Sequence, residues 1–211
     1  IQYQPYYKTE RALAGYYPRF QPGPVSFDPA GTPYVKYGDT NIQTVDSNGT
    51  WTYIDILPVV EQYLLEERDY KDYLLLDEGF YNESVIRFDR EGGAYLMVTA
   101  SVITQYDREN IITILLYSDD GMQTFSCYLL PTAFARFERV DGNNSECLDR
   151  PPVILLSNMW ASEDQAGYIL IPEKTEEGLV LPEPVQYAES CLSTAVHSGD
   201  SNFAITHDGK V

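Results

Sequence analysis

Short apolar runs, punctuated by clusters of Gly, Asp, Asn and Pro, recur along this chain and predict strands joined by tight turns. Val25-Ser26-Phe27 reads as a strand, Asp28-Pro29-Ala30-Gly31 as a turn, and Tyr34 to Tyr37 as a second strand. Gly38-Asp39 turns again, Asn41 to Val45 forms a third strand, Asp46-Ser47-Asn48-Gly49 turns, and Thr50 to Ile56 alternates as a fourth. A second four-stranded meander follows over 83–131: Val85 to Phe88, the turn Asp89 to Gly93, Ala94 to Ala100, Ile111 to Tyr117 and Phe125 to Leu130. Phe27-Asp28 and Phe88-Asp89 stand 61 residues apart and open both meanders alike, with a strand, a Phe-Asp turn, Gly and an aromatic strand. The first unit holds about forty residues, the period of a stacked four-stranded repeat.

Between the meanders the period changes. Val60, Tyr63, Leu64, Glu67, Tyr70 and Leu74 recur at helical spacing, with Pro58 in the first turn and Gly79 as a stop, so 58–79 is expected to be an inserted helix. Residues 1–17 carry Tyr3, Tyr6, Tyr7, Tyr16 and Tyr17 without a clean period and are expected to lie extended on the body of the protein. Arg136 to Pro152 reads as a polar loop. A third unit then runs over 150–188, with strands at Val153 to Leu156 and Gly167 to Ile171, and a fourth opens over 200–211 at Asn202 to Gly209.

The turn Ser118-Asp119-Asp120-Gly121-Met122-Gln123-Thr124-Phe125 resembles the Asp-box (BNR) repeat of sialidase-like β-propellers. Ser118, Asp120, Gly121, Thr124 and Phe125 carry the likeness, with the Gly displaced by one position. Thr44 to Trp51, through Asp46, Thr50 and Trp51, is a weaker copy at the matching turn of the first unit (18–57). The resemblance implies an all-β fold: a β-propeller of four-stranded antiparallel blades, present here as about three and a half blades with one inserted helix. Such a set cannot close a ring, so the remaining blades are expected from sequence after Val211 or from another chain. In that family the box is a structural turn, which makes Asp119 and Asp120 poor catalytic candidates. Asp119-Asp120-Gly121 also lacks the further oxygens of a calcium loop, and no metal ligand set is expected; the sequence leaves any cofactor open.

Charge narrows the partner. Fourteen Lys and Arg stand against 32 Asp and Glu, a formal net charge of −18, which argues against nucleic acid or an anionic membrane as the main partner. No apolar run approaches the length of about 18 residues that a spanning helix needs. The 18 tyrosines suit half-buried strands and also supply flat surfaces for stacking on sugars. Of the three cysteines, Cys127 reads as a buried thiol in a strand, while Cys147 and Cys191 fall in loops and could pair. Asn48, Asn82 and Asn143 open glycosylation-type triplets, which with the rest points to export from the cell.

Topology singles out candidate residues. In a propeller, loops entering each first strand gather at one face, and turns after the first strand and before the fourth lie at the other. His207 falls on the far face. His197, in Thr194 to Phe203, enters a first strand at the near face and is the candidate catalytic base. Arg19, Tyr81 and Arg150 precede first strands, Asn202 follows His197, and Tyr106 and Arg108 lie in a loop reaching the same face; all six are expected to bind substrate. Guanidinium forks suit carboxylates. The segment His197-Ser198-Gly199-Asp200-Ser201-Asn202-Phe203 resembles the histidine-bearing inner strand of ulvan-lyase-like propellers. That likeness implies a secreted polysaccharide lyase cleaving a uronate-containing chain by β-elimination, its partner an acidic polysaccharide or other glycan. Two alternatives stand beside it. One is a sialidase-like glycoside hydrolase, of which Pro18-Arg19-Phe20 is a faint echo. The other is a non-catalytic glycan- or protein-binding propeller.

Overall fold

A computed structural model describes residues 1–11, 25–37, 40–76, 85–137, 147–157 and 167–188. These residues are mostly β, in antiparallel sheets, with one short helical segment. The first sheet contains β1 (Tyr6–Arg11), β2 (Ser26–Phe27), β3 (Pro33–Tyr37), β4 (Asn41–Val45) and β5 (Thr50–Asp55), in the spatial order β1-β5-β4-β3-β2. The four strands expected from the alternation are therefore present as a meander. The N-terminal segment does more than lie on the body: β1 pairs along the whole of β5, from Tyr6 opposite Asp55 to Arg11 opposite Thr50. Just before it, Tyr3 exchanges two backbone hydrogen bonds with Phe125, so the segment ties the first sheet to the second.

Helix α1 (Leu57–Glu61) carries Pro58 in its first turn, tolerated because its missing N–H would have had no partner there. The helix widens into a π-helical stretch over Gln62–Glu67, in which the Arg68 N–H reaches back to the Tyr63 carbonyl. Val59, Val60, Tyr63 and Leu64 are buried beneath it. It stops well short of Gly79. Asp69 adopts φ 55°, which ends the helix, and β6 (Asp72–Leu75) extends instead. Tyr70 and Leu74 fitted the helical period, but Leu74 is 68% exposed while Tyr73 and Leu75 turn inward, which is the period of a strand.

The second sheet adds β7 (Arg87–Phe88), β8 (Ala94–Ile103), β9 (Glu109–Ser118) and β10 (Ser126–Leu129), in the order β10-β9-β8. The free edge of β8 carries both short strands, β6 on Ala100 to Ile103 and β7 on Ala94 and Tyr95. Both run antiparallel to β8, so β6 and β7 share one edge of the sheet.

The third sheet contains β11 (Phe134–Phe137), β12 (Ile154–Ser157), β13 (Gly167–Leu170) and, beyond the inserted hairpin of β14 (Glu173–Thr175) and β15 (Gly178–Val180), β16 (Val185–Ala188). Its order is β11-β12-β13-β16. It therefore begins before the unit expected at 150. Arg136 belongs to β11, paired with Leu155, and Phe137 is buried, so the polar loop expected from Arg136 starts one strand too early.

The central strands of the second sheet are buried on both faces, which is why β8 opens on the continuous apolar run Ala94 to Val98. Leu96, Val98, Ala100, Val102, Ile114 and Leu116 pack with Ile42 and Ile54 of the first sheet and with the helix. Tyr95, Met97, Leu115 and Tyr117 point the other way, against Phe137, Ile154, Leu156, Leu170 and Leu179. Tyr34 and Phe88, 5.1 Å between ring centroids, join the first two sheets near their first strands.

One turn geometry recurs at four hairpins: 28–32, 46–50, 89–93 and 104–108. In each, the first N–H donates to the fifth carbonyl (3.1, 3.0, 3.0 and 2.9 Å) and the fourth N–H donates to the first carbonyl. The fifth N–H then donates to the first side chain, an Asp carboxylate at 2.8 Å in three turns and the Thr104 hydroxyl at 3.2 Å in the last. The fourth residue takes positive φ in every case. It is Gly31, Gly49 and Gly92 in the Asp-led turns, but Asp107 (φ 56°) in the last.

Candidate functional site

The ten residues of β8 hold the two ends of the second sheet about 30 Å apart. At one end lie the 89–93 turn and the Ser118–Phe125 turn; at the other lies the 104–108 turn.

At the first end the side chains serve the fold. Ser118 Oγ donates to Asp120 Oδ1 at 2.8 Å and accepts the Met122 N–H at 2.9 Å. Asp120 also accepts the Thr124 N–H at 2.9 Å and the Thr124 hydroxyl at 2.6 Å. Burial alone would raise the Asp120 carboxyl, but these hydrogen bonds outweigh it and hold the group below its ordinary range. Gly121 (φ 71°) and Met122 (φ 67°) are both left-handed, and the Met122 side chain is fully buried. Asp119 lies beside an open cleft of about 260 Å³, shared with Tyr117, Thr124, Glu176 and Glu177. Among the described residues no group of His, Cys, Asp or Glu could hold a metal ion.

Asp89 is also committed to structure. Its Oδ1 accepts the Glu91 and Gly93 N–H groups, and its Oδ2 accepts the Tyr95 hydroxyl at 2.7 Å and Lys174 Nζ at 2.6 Å. Burial, then the bond to Asp89, pushes the Tyr95 phenol far above its ordinary value.

The opposite end presents different chemistry. Tyr106 is 86% exposed at the tip of the 104–108 turn, and Arg108 beside it is exposed. Residues 69–71 support the turn from behind. Gln105 Nε2 donates to the Asp69 carbonyl at 2.6 Å, Lys71 Nζ meets Asp107 Oδ1 at 2.9 Å, and the Lys71 N–H donates to the Ile103 carbonyl.

Of the residues chosen from the sequence, Tyr106 and Arg108 share the exposed 104–108 turn, and Arg150 lies toward the other end of the second sheet. Leu148 bridges Asp89 in parallel with β7, and Asp149 pairs with Arg90 at 2.6 Å. Residues 147–149 thus carry the chain toward the 89–93 turn before β12 starts, which leaves Arg150 at that end, its Nη1 donating to the Pro151 carbonyl. His197, Arg19, Tyr81 and Asn202 lie outside the described residues. Cys191 does too. Cys147 Sγ lies 3.2 Å from the Phe27 carbonyl, and burial pushes the Cys127 thiol up to about 12.

Sequence reasoning missed Asp69, Lys71 and Gln105, which support the exposed turn. It also missed two buried cations, Lys36 on β3 and Arg87 on β7, 0% and 2% exposed. The available signal was a single basic residue inside an otherwise apolar strand, in Val35-Lys36-Tyr37 and Ile86-Arg87-Phe88. No protein-family model, curated protein or solved structure matches this chain.

Proposed function

We propose that this chain is a run of blades from a β-propeller that recognises a uronate-bearing polysaccharide at the end carrying Tyr106 and Arg108. One observation carries the reading: an almost fully exposed tyrosine stands beside an exposed arginine on a hydrogen-bonded turn. A phenol ring offers an apolar face to a pyranose ring, and a guanidinium fork matches a carboxylate. A turn already held in shape costs little further ordering on binding. Three antiparallel sheets in layers, with equivalent turns in the first two, support the blade assignment. Such a ligand implies a site of action outside the cell.

The proposed chemistry is β-elimination. A base removes the proton α to the uronate carboxylate, the bond to the glycosidic oxygen breaks, and a carbon–carbon double bond forms while the leaving oxygen takes up a proton. His197 is the proposed base, with Arg19, Tyr81 and Asn202 as further substrate contacts. Recognition without turnover is a second reading, favoured by the turn itself, whose one carboxylate, Asp107, is engaged by Lys71.

Affinity electrophoresis in polygalacturonate, with dextran as the neutral control, tests recognition. Retardation lost in Tyr106→Ala and Arg108→Ala is expected; wild-type retardation in both would remove the site. Ultraviolet absorbance of the unsaturated product then separates the two readings, since binding without product selects the second.

A further inference from the structure

We infer that Asp107, through Lys71, is a positioning residue that sets the orientation of the Tyr106 and Arg108 recognition turn; the inference rests on the function proposed above. Three sister turns place glycine at the fourth position, where positive φ is least costly. The 104–108 turn places Asp107 there instead, at φ 56°. Asp accepts this conformation more readily than most residues, yet glycine would do so more easily. What the aspartate adds is its side chain, whose Oδ1 meets Lys71 Nζ at 2.9 Å.

Lys71 is well placed for this task. Its own N–H is fixed to the Ile103 carbonyl, one residue before the turn, and its side chain reaches the fourth residue of that turn. On the other flank Gln105 Nε2 holds the Asp69 carbonyl at 2.6 Å, where Asp69 is itself left-handed (φ 55°). The residues either side of Tyr106 are thus tied to the segment that leaves the helix. Tyr106 makes no such tie and projects between them, 86% exposed. The pairing also neutralises the one carboxylate of the turn, so that Arg108 faces an anionic sugar with less competition from Asp107.

The pair is exposed, 40% at Lys71 and 80% at Asp107, so its loss should scarcely affect folding. Asp107→Gly keeps the turn, because glycine suits the backbone, and removes only the tie. Affinity for polygalacturonate should fall about three- to five-fold in Asp107→Gly and in Lys71→Ala, with an unchanged melting midpoint. The double variant should lose no more than either single one. Asp107→Asn should restore most of the affinity, since an amide oxygen still accepts from Lys71 and Asn tolerates positive φ. Wild-type affinity in Asp107→Gly, alongside lost binding in Tyr106→Ala, would overturn the positioning role and leave the site intact. Wild-type affinity in Tyr106→Ala and in Arg108→Ala alike would overturn the site and the positioning role together.

Discussion

Asp89 Oδ2 and Lys174 Nζ meet at 2.6 Å, joining a turn of the second sheet to a hairpin inserted in the third. The carboxylate is 3% exposed and also receives Tyr95 and two turn N–H groups, so its removal takes the acceptor from four donors at once and leaves Lys174 only Glu91. Asp89→Ala should cost about 3–5 kcal/mol in urea denaturation, as expected for breaking a buried, hydrogen-bonded ion pair. Asp46→Ala, in the sister turn on the surface, should cost far less. The same cluster sets an alkaline limit. Burial and the Asp89 bond raise the Tyr95 phenol; burial would lower Lys174, but its bonds to Asp89 and Glu91 raise it on balance. Groups raised on folding contribute stability that is fully present below their unfolded values, about 10 for both, and lost as pH rises through the folded ones. Stability should therefore decline above about pH 10, and less steeply in Tyr95→Phe; equal slopes in the two proteins would remove Tyr95 from the explanation.

Gly93 owes its identity to that carboxylate. A Cβ at Gly93 would lie 2.5 Å from Asp89 Oδ2 and 3.0 Å from Lys174 Nζ. The equivalent residues of the sister turns are Thr32 and Thr50, so the turn geometry itself accepts a side chain. Gly93→Ala should destabilise by about 2 kcal/mol through displacement of a satisfied buried group. In an Asp89→Ala background the penalty should largely vanish, a coupling that a double-mutant cycle reads directly.

The turns were legible in the sequence because their closure is local. Asp at the first position and Gly at the fourth complete the geometry within five residues, and this gave both the strand limits around 28–32 and 89–93 and the match between the two meanders. Longer-range facts left no such mark. Tyr70 and Leu74 fit a helical period, but β6 is decided by pairing with Ala100 to Ile103. Phe134 to Phe137 is too short and too polar at Arg136 to stand out, and β12 makes it a strand. Tyr106 and Arg108 were visible as tip residues of a loop. Their supports come from 36 residues upstream, a separation at which neither the Lys71–Asp107 nor the Gln105–Asp69 contact shows in composition or spacing. Arg150 was misplaced because the order of strands does not reveal that Leu148 first runs beside β7.

Met122 offers a test in which the usual ranking of substitutions inverts. Its side chain is fully buried in the core shared by the first two sheets, while its backbone sits at φ 67°. Met122→Ala and Met122→Gly both forfeit the packing, about 2–5 kcal/mol. Glycine alone relieves the left-handed backbone, worth about 1 kcal/mol. Met122→Gly should therefore be the more stable of the two by urea denaturation, although glycine ordinarily ranks below alanine in folded elements. If alanine proves the more stable, backbone strain at this position is negligible.

Salt should reveal which electrostatic term governs polysaccharide recognition. Cationic proteins lose polyanions as salt rises, because displaced counterions are no longer gained. This chain carries a net charge of −18 and presents Arg108 at an exposed turn whose neighbouring cation, Lys71, is already paired with Asp107. Long-range repulsion of a polyuronate should then outweigh the local attraction when screening is weak. Screening extends over about 30 Å at 0.01 M salt and about 8 Å at 0.15 M. Affinity for polygalacturonate should accordingly rise a few-fold across that interval, while a neutral polysaccharide shows no change. Arg108→Ala should lower affinity at every salt concentration and steepen the rise, because repulsion then acts unopposed. A fall in affinity with added salt would mean that a cluster of cations dominates binding, and would move the site from the Tyr106 turn to wherever that cluster lies.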